Sequence, residues 1–330
     1  MGDPVPGEVS WLQSFKIYAL SPDYYNSWYY ATVGARLSFL LRKYDPKLAA
    51  IYQDSAISAF QFAERDFVRD QPLIVSEKRD LAQTLDQRNF AALELYRLTR
   101  DEKWHDIFLE NTLLKSSNSE LQINGHNQRD QAFLYARLPD GLGDPTLKSR
   151  ALAGVLAMAQ RALDYAGKNA FNLTTSDPGK PQFIGFYSAP DATDLIHAHF
   201  LTHDPKYLAG AIQATQFQSG ANPNNVVYTS GLGANSVRNP FKIDARRTGQ
   251  PMPIGLTPYG NIDLARWGDQ KWISWPITYF LSKNTVPDPY NWPVNEAYWD
   301  LGGWPAFNEF TVDAWAPNIA VWGYLAAREK

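Results

Sequence analysis

Residues 298–322, YWDLGGWPAFNEFTVDAWAPNIAVW, set one carboxylate, Glu309, among Trp299, Trp304, Phe307 and Phe310. Rings around a carboxyl group strip it of water and favour its neutral form. That is the form a general acid must hold if it is to protonate the oxygen of a leaving sugar. Flat aromatic faces also suit sugar rings, so the residue types fit a carbohydrate site. The same pattern describes a glutamate at the mouth of the last helix beside ordinary core aromatics, and the segment alone leaves both readings open.

A second stretch with chemical potential runs from Gly220 to Gly233, GANPNNVVYTSGLG, and is followed by Asp244-Ala245-Arg246. Gly220, Gly231 and Gly233 permit backbone angles that other residues avoid and let a loop approach a bulky ligand closely. Arg246 offers a planar fork of donors to sugar hydroxyls or to a neighbouring carboxylate, which a lysine would do less well. Taken singly, each glycine is also an ordinary turn residue, and Arg246 an ordinary loop charge.

Together these segments resemble the catalytic domain of family 9 glycoside hydrolases, the cellulase family built on a double barrel of α-helices. In that family an Asn-Glu pair follows a Tyr-x-Asp, and the Glu is the catalytic acid. Tyr298-Trp299-Asp300 and Asn308-Glu309 keep that order, and Thr311 fills the small-residue slot after them. Two positions depart: the aromatic expected before the Glu falls on Pro305, with Trp304 one place early, and the Asn expected after it is Trp315. Gly220–Gly233 resembles the family's Asn-Pro and Thr-Gly-x-Gly loop. Asp244-Ala245-Arg246, ahead of Tyr259-Gly260, resembles a branch in which an Asp replaces the first His of His-His-Arg.

This resemblance, extending from about Gly7 to the C-terminus, implies an all-α fold of the six-hairpin α/α toroid type, treated as one domain over residues 1–330. It implies inverting hydrolysis of β-glucan chains or cello-oligosaccharides without a cofactor. Glu309 would be the general acid, and Tyr228, Asp244, Arg246, Tyr298, Trp299 and Trp304 would contact substrate. It also implies export, hence a secreted or periplasmic location. Inversion needs a second carboxylate to activate water. The family's Asp-Ala-Gly-Asp, which supplies that base, does not occur in the sequence. Pro6–Trp11 and Tyr18–Asp23 resemble a segment that follows the base, so the expectation is a toroid incomplete at its N-terminus. Its gap would be covered by an upstream segment or a second copy, and the chain alone would have little activity. Asp3, Glu8, Asp23 and Asp300 are local carboxylates without the base motif, and none is assigned that role. The competing reading is a non-catalytic carbohydrate-binding or structural remnant of the same fold. A toroid epimerase or lyase would need His, Tyr or Arg proton carriers in an arrangement that does not stand out.

The elements that must position these residues are mostly helices. Apolar residues recur at three- and four-residue spacing over 27–43, 46–67, 77–98, 102–114, 128–137, 146–167, 190–201 and 205–217. A last helix is expected to begin at Pro317. Three connectors repeat, Tyr44-Asp-Pro-Lys47, Arg100-Asp-Glu-Lys103 and His203-Asp-Pro-Lys206, each placing an Asp as N-cap straight after a preceding helix. Such joints make antiparallel helix pairs. From about 219 to 305 the pattern lapses into Gly, Pro, Asn and aromatics, and long irregular segments usually form a functional surface, here the walls of a cleft.

Composition narrows the partners. Apolar residues make up 45% and aromatics 14%, with 11 Trp and 18 Tyr, more rings than a core needs, and carbohydrate is their natural partner. A net charge of −3 without a basic run argues against nucleic acid and an anionic membrane surface. With no cysteine there is neither a disulfide nor a thiolate metal site. His197 and His199 fall on different faces of a helix, so a shared metal is not expected. No Ser-His-Asp triad or phosphate-binding glycine loop is evident, and the Asn172-Leu-Thr174 sequon reads as accidental.

Overall fold

The computed structural model describes residues 9, 11, 16, 18, 21–76, 81–116, 120–174, 192–269, 271, 273 and 285–328. The chain forms two compact units: Tyr18–Met158, and Ala159–Lys330 together with Met1–Ile17. The sequence reading treats 1–330 as one domain. The boundary between the units lies inside an uninterrupted helix, Pro145–Ala166, and not at a linker.

In the unit Tyr18–Met158, helices α1 (Tyr24–Leu41), α2 (Pro46–Ser76), α3 (Leu81–Thr99), α4 (Glu102–Glu110) and α5 (Arg129–Ala136) precede α6 (Pro145–Ala166). Aspartates start several of them, Asp45 and Asp101 as the sequence predicts and Asp23 in addition. Asp23 accepts from Asn26 N at 2.8 Å, Asp45 from Leu48 N at 3.0 Å and Asp101 from Lys103 N at 3.2 Å. The expected helix 102–114 stops at Glu110; Asn111 leaves helical geometry, and a 3-10 turn follows at Leu113–Lys115. Helix α1 buries Trp28, Ala31, Gly34, Ala35 and Ser38. A Cβ on Gly34 would sit 3.3 Å from Ala56 Cβ, so glycine allows α2 its close approach. The opposite face of α1 exposes Tyr25, Tyr29, Tyr30, Val33 and Leu40.

A two-residue hairpin, β1 (Gln122–Ile123) with β2 (His126–Asn127), turns through Asn124 (φ 51°) and Gly125 (φ 85°), the left-handed pair such a turn demands. Buried Asp86 on α3 pins it, accepting from His126 Nδ1 at 2.8 Å, Asn127 N at 2.5 Å and Gln128 Nε2 at 2.7 Å.

In the other unit, α7 (Ala192–Thr202) and α8 (Pro205–Gln216) form a hairpin. A joint seen in the first unit recurs here almost atom for atom. Thr99 donates to Leu95 O at 2.8 Å and accepts from Asp101 N at 3.2 Å, while Arg100 between them has φ 61°. Thr202 donates to Ala198 O at 2.7 Å and accepts from Asp204 N at 3.2 Å, with His203 at φ 56°. Each threonine thereby closes one helix and positions the cap of the next.

Among the described residues beyond α8 the chain is largely irregular, with α9 (Ile243–Thr248), α10 (Leu264–Trp267), a 3-10 turn at Pro289–Asn291 and α11 (Pro305–Asn308) as its named elements before the last helix. Leu173, Phe217, Tyr228, Val237, Ile262, Leu264, Ile273, Val294, Tyr298, Trp304, Ala306 and Phe307 form its core. The last helix, α12, spans Val312–Ala327 and contains Pro317, so the expected start at Pro317 is corrected by five residues. An interior proline removes one intrahelical hydrogen bond and crowds the preceding turn, and here it sits in the second turn of a helix that begins five residues earlier. Of the other helix limits, residues 77–80 and 190–191 lie outside the described residues. Among the described residues no helix is long and apolar enough to cross a membrane.

Candidate active site

The Glu309 segment is built on a packed aromatic base. Trp304 is fully buried, donates Nε1 to Ile273 O at 2.8 Å, meets Phe307 edge-on at 4.4 Å and stacks on Trp299 at 5.5 Å. The surface of Trp304 is therefore consumed by protein, and its expected sugar contact is replaced by a supporting role. Trp299 is half-buried and packs against this core.

The short helix α11 hands the chain from Trp304 to Glu309. Its end is fixed by Asn308, a fully buried amide whose Nδ2 shares its two protons among the carbonyls of Leu301, Trp299 and Trp304 at 2.9, 3.0 and 3.2 Å. Its Oδ1 accepts from Tyr298 OH at 3.0 Å. Burial, and then the neighbouring Asp300, hold the Tyr298 phenol well above its ordinary range, so it stays a neutral donor. Tyr298 thus holds Asn308; it is nearly closed to solvent and is corrected from substrate contact to positioning.

Glu309 itself is half-buried. Its backbone is clamped on both sides: its N–H donates to Pro305 O at 2.7 Å and its carbonyl accepts from Tyr259 N at 2.9 Å. Gly260 N donates to Phe307 O at 3.0 Å and Phe241 N to Asn308 O at 2.7 Å. Among the described residues its carboxylate has no hydrogen bond or ion pair. Phe310 turns away to stack on Trp315 at 5.5 Å, so the rings named by the sequence pack chiefly on one another.

The glycine-rich loop reaches the same backbone through residues 253–261. Ser230 accepts from Gly255 N at 2.9 Å through its carbonyl and from Leu256 N at 3.0 Å through Oγ, and donates to Leu256 O and Pro253 O. Gly231 has φ 74°, and a Cβ there would lie 2.7 Å from Ile254 Cγ1, so both conformation and space require glycine. Trp315 Nε1, at the position where the family pattern carries Asn, donates to Thr257 O at 3.2 Å. Segment 253–261 therefore ties the Tyr228–Gly233 loop, Glu309 and α12 together.

Tyr228 is fully buried and gives its hydroxyl to Asn261 Oδ1, while desolvation drives its pKa up; this too is a correction from contact to support. Asp244 is buried in the first turn of α9 and pairs with Lys242 Nζ at 2.9 Å. It shapes the turn that leads to Arg246, and its burial removes it from direct contact. Arg246 is exposed, and its guanidinium lies where Gly302 has no side chain, 3.3 Å from the site of a Cβ there. Asp300 is occupied: its carboxylate accepts from Arg238 N at 2.7 Å and Asn239 N at 2.9 Å. Asp23 caps α1. Asp3 and Glu8 lie outside the described residues. Sequence reasoning missed the Asn308 and Ser230 hubs, whose only signal was the motif in which they stand. Among the described residues no cluster of three metal-ligating side chains occurs.

Comparison with known families settles the lineage. The family model described as Glycosyl hydrolase family 9 matches residues 14–262, three quarters of the chain. The chain belongs to glycosyl hydrolase family 9. The match ends before Glu309, but solved family 9 structures align over nearly the whole chain. A metagenome-derived family 9 endoglucanase is similar at TM-score 0.71 and 20% identity, covering 92% of this chain and 52% of its own. The D468A mutant of a thermostable endoglucanase from Alicyclobacillus acidocaldarius gives 0.74 and 18%, with 98% and 59% covered. AaCel9A in complex with cellobiose-like isofagomine gives 0.70 and 19%, with 93% and 56% covered. The fold is thus the family 9 α/α toroid, and the chain spans little more than half the length of these structures. No curated protein matches it.

Proposed function

We propose that this protein acts as a glycoside hydrolase on β-glucan chains or cello-oligosaccharides, by inversion, with Glu309 as proton donor. The observation that carries the reading is Glu309 itself: a half-buried carboxylate without a protein partner, on a backbone held by Asn308, Tyr259 and Phe241. Trp299 and Arg246, the half-buried and exposed members of the expected set, are the sugar contacts. Tyr228, Asp244, Tyr298 and Trp304 keep the wall in shape. A glutamate fixed at its backbone and open at its carboxylate can present its proton to a glycosidic oxygen with little reorganisation. The relatives' endoglucanase titles and the cellobiose-like ligand of one of them support the substrate class. Export to the periplasm or beyond belongs to the same proposal.

Inversion also needs a base, and none of the described carboxylates is assigned that role. A second reading, glucan binding without hydrolysis, is favoured by one observation, the absence of Asp-Ala-Gly-Asp from the sequence. Cellotetraose titration and turnover separate the two. Under the catalytic reading, Glu309→Gln lowers turnover by roughly a hundredfold or more and leaves binding within about twofold. Both measurements are made on this chain joined to a segment that supplies the base; there, binding without turnover selects the second reading, and no binding at all removes both.

A further inference from the structure

Gly302 is buried where two segments of the candidate site meet. A Cβ at this position would lie 2.9 Å from Asn239 O, 3.4 Å from Asn239 Cβ and 3.3 Å from Arg246 Nη1. Its φ is outside the left-handed region, so glycine is required here for space and not for conformation.

Asn239 has little freedom to move aside, because Asp300 holds it at two points. Its N–H donates to Asp300 Oδ1 at 2.9 Å and its Nδ2 to Asp300 O at 3.0 Å, while Arg238 N donates to Asp300 Oδ2 at 2.7 Å. Two residues on, Phe241 N donates to Asn308 O at 2.7 Å. The chain then enters α9 at Ile243, and Arg246 N donates to Lys242 O at 3.2 Å. The helix that carries Arg246 therefore starts from backbone already docked on the Tyr298–Glu309 segment.

Arg246 is exposed, and among the described residues its side chain has no hydrogen bond or ion pair. Its donors are open to a ligand. What the protein offers the guanidinium is the space beside Gly302, which it shares with the Asn239 carbonyl.

We infer that Gly302 and Asn239 are positioning residues for Arg246: the missing side chain at 302 and the docked carbonyl at 239 form a seat that presents the guanidinium to a glucan. A planar fork held in place loses less freedom on binding sugar hydroxyls than one that sweeps through solvent. The inference rests on the reading of Arg246 as a sugar contact.

Cellotetraose titration of the joined chain described above tests it, in the parent, Gly302→Ala, Arg246→Ala and the pair. Gly302→Ala should weaken binding roughly fivefold and Arg246→Ala roughly tenfold. The pair should bind no more weakly than Arg246→Ala alone, because the seat then has nothing to hold. Asn239→Ala, which loses the bond to Asp300 O without adding bulk, decides the question if Gly302→Ala does not fold; it should weaken binding about threefold where Arg246 is present and not where it is replaced. Losses that multiply with that of Arg246→Ala, as a merely structural defect would give, overturn the seat and leave the glucan reading standing. So does binding by the deciding variant within about twofold of the parent. Absence of binding by the parent removes the glucan reading and the seat with it.

Discussion

Asn308 bears more of the site than its place beside Glu309 suggests. One amide satisfies three carbonyls and a tyrosine hydroxyl in a fully buried position, and each group would otherwise be left without a partner. Asn308→Ala should therefore destabilise the chain by about 3 kcal/mol, read from urea midpoints. Asn308→Asp should be at least as costly, because a carboxylate keeps the contact with Tyr298 but has no protons for the carbonyls. If Asn308→Ala unfolds at the same urea concentration as the parent, the hub is an accident of proximity. Histidine 199 offers a second test at this scale. Its Nδ1 lies 2.6 Å from Tyr324 OH, which joins α7 to α12. Desolvation, then His203 and Arg328, lower its pKa from 6.5. The unfolded chain then binds its proton first on acidification, so stability falls as the pH drops through 6.5, and the loss is complete below the folded value. Urea midpoints from pH 8 to 5 should decline, and His199→Gln should make that decline shallower; an unchanged slope would dismiss the residue as its source.

At the scale of elements, the Thr–left-handed–Asp joint is the clearest design in the chain. Thr99→Val and Thr202→Val keep side-chain volume and delete both hydrogen bonds, so each should cost about 1 kcal/mol, measured by chemical denaturation. A null result at both positions would leave the aspartate caps alone in charge of the turn. Asp101 and Asp204 were legible in the sequence because a cap acts on its immediate neighbours, and most helix starts were legible for the same reason. Pro317 misled because its preference for a first turn is statistical, and the helix here begins a full turn before it. Tyr228 and Trp304 misled differently: aromatic abundance shows that rings are available and does not say which side of an irregular segment faces inward. The hairpin clamp at Asp86 was beyond reading, since its partners lie forty residues away and only packing brings them together.

For the molecule as a whole, two helices carry apolar faces that the described residues do not cover. Helix α1 exposes Tyr25, Tyr29, Tyr30, Val33 and Leu40, and α12 exposes Val312, Ile319 and Trp322 along a face otherwise made of small residues. Such surface favours association. The chain should sediment as a concentration-dependent mixture, and Tyr29→Lys with Val33→Lys should shift it toward the monomer. A strict monomer at tens of micromolar would show these faces to be tolerated in water.

The joint described at Thr99 and Thr202 has a historical consequence. Every bond that defines it lies within seven residues of chain, so a hairpin built on it needs nothing from its neighbours to turn correctly. A lineage assembled from such self-contained corners can replace four residues in five between them and still trace the same path. That degree of drift separates this chain from structures it matches at 18–20% identity over more than nine tenths of its length.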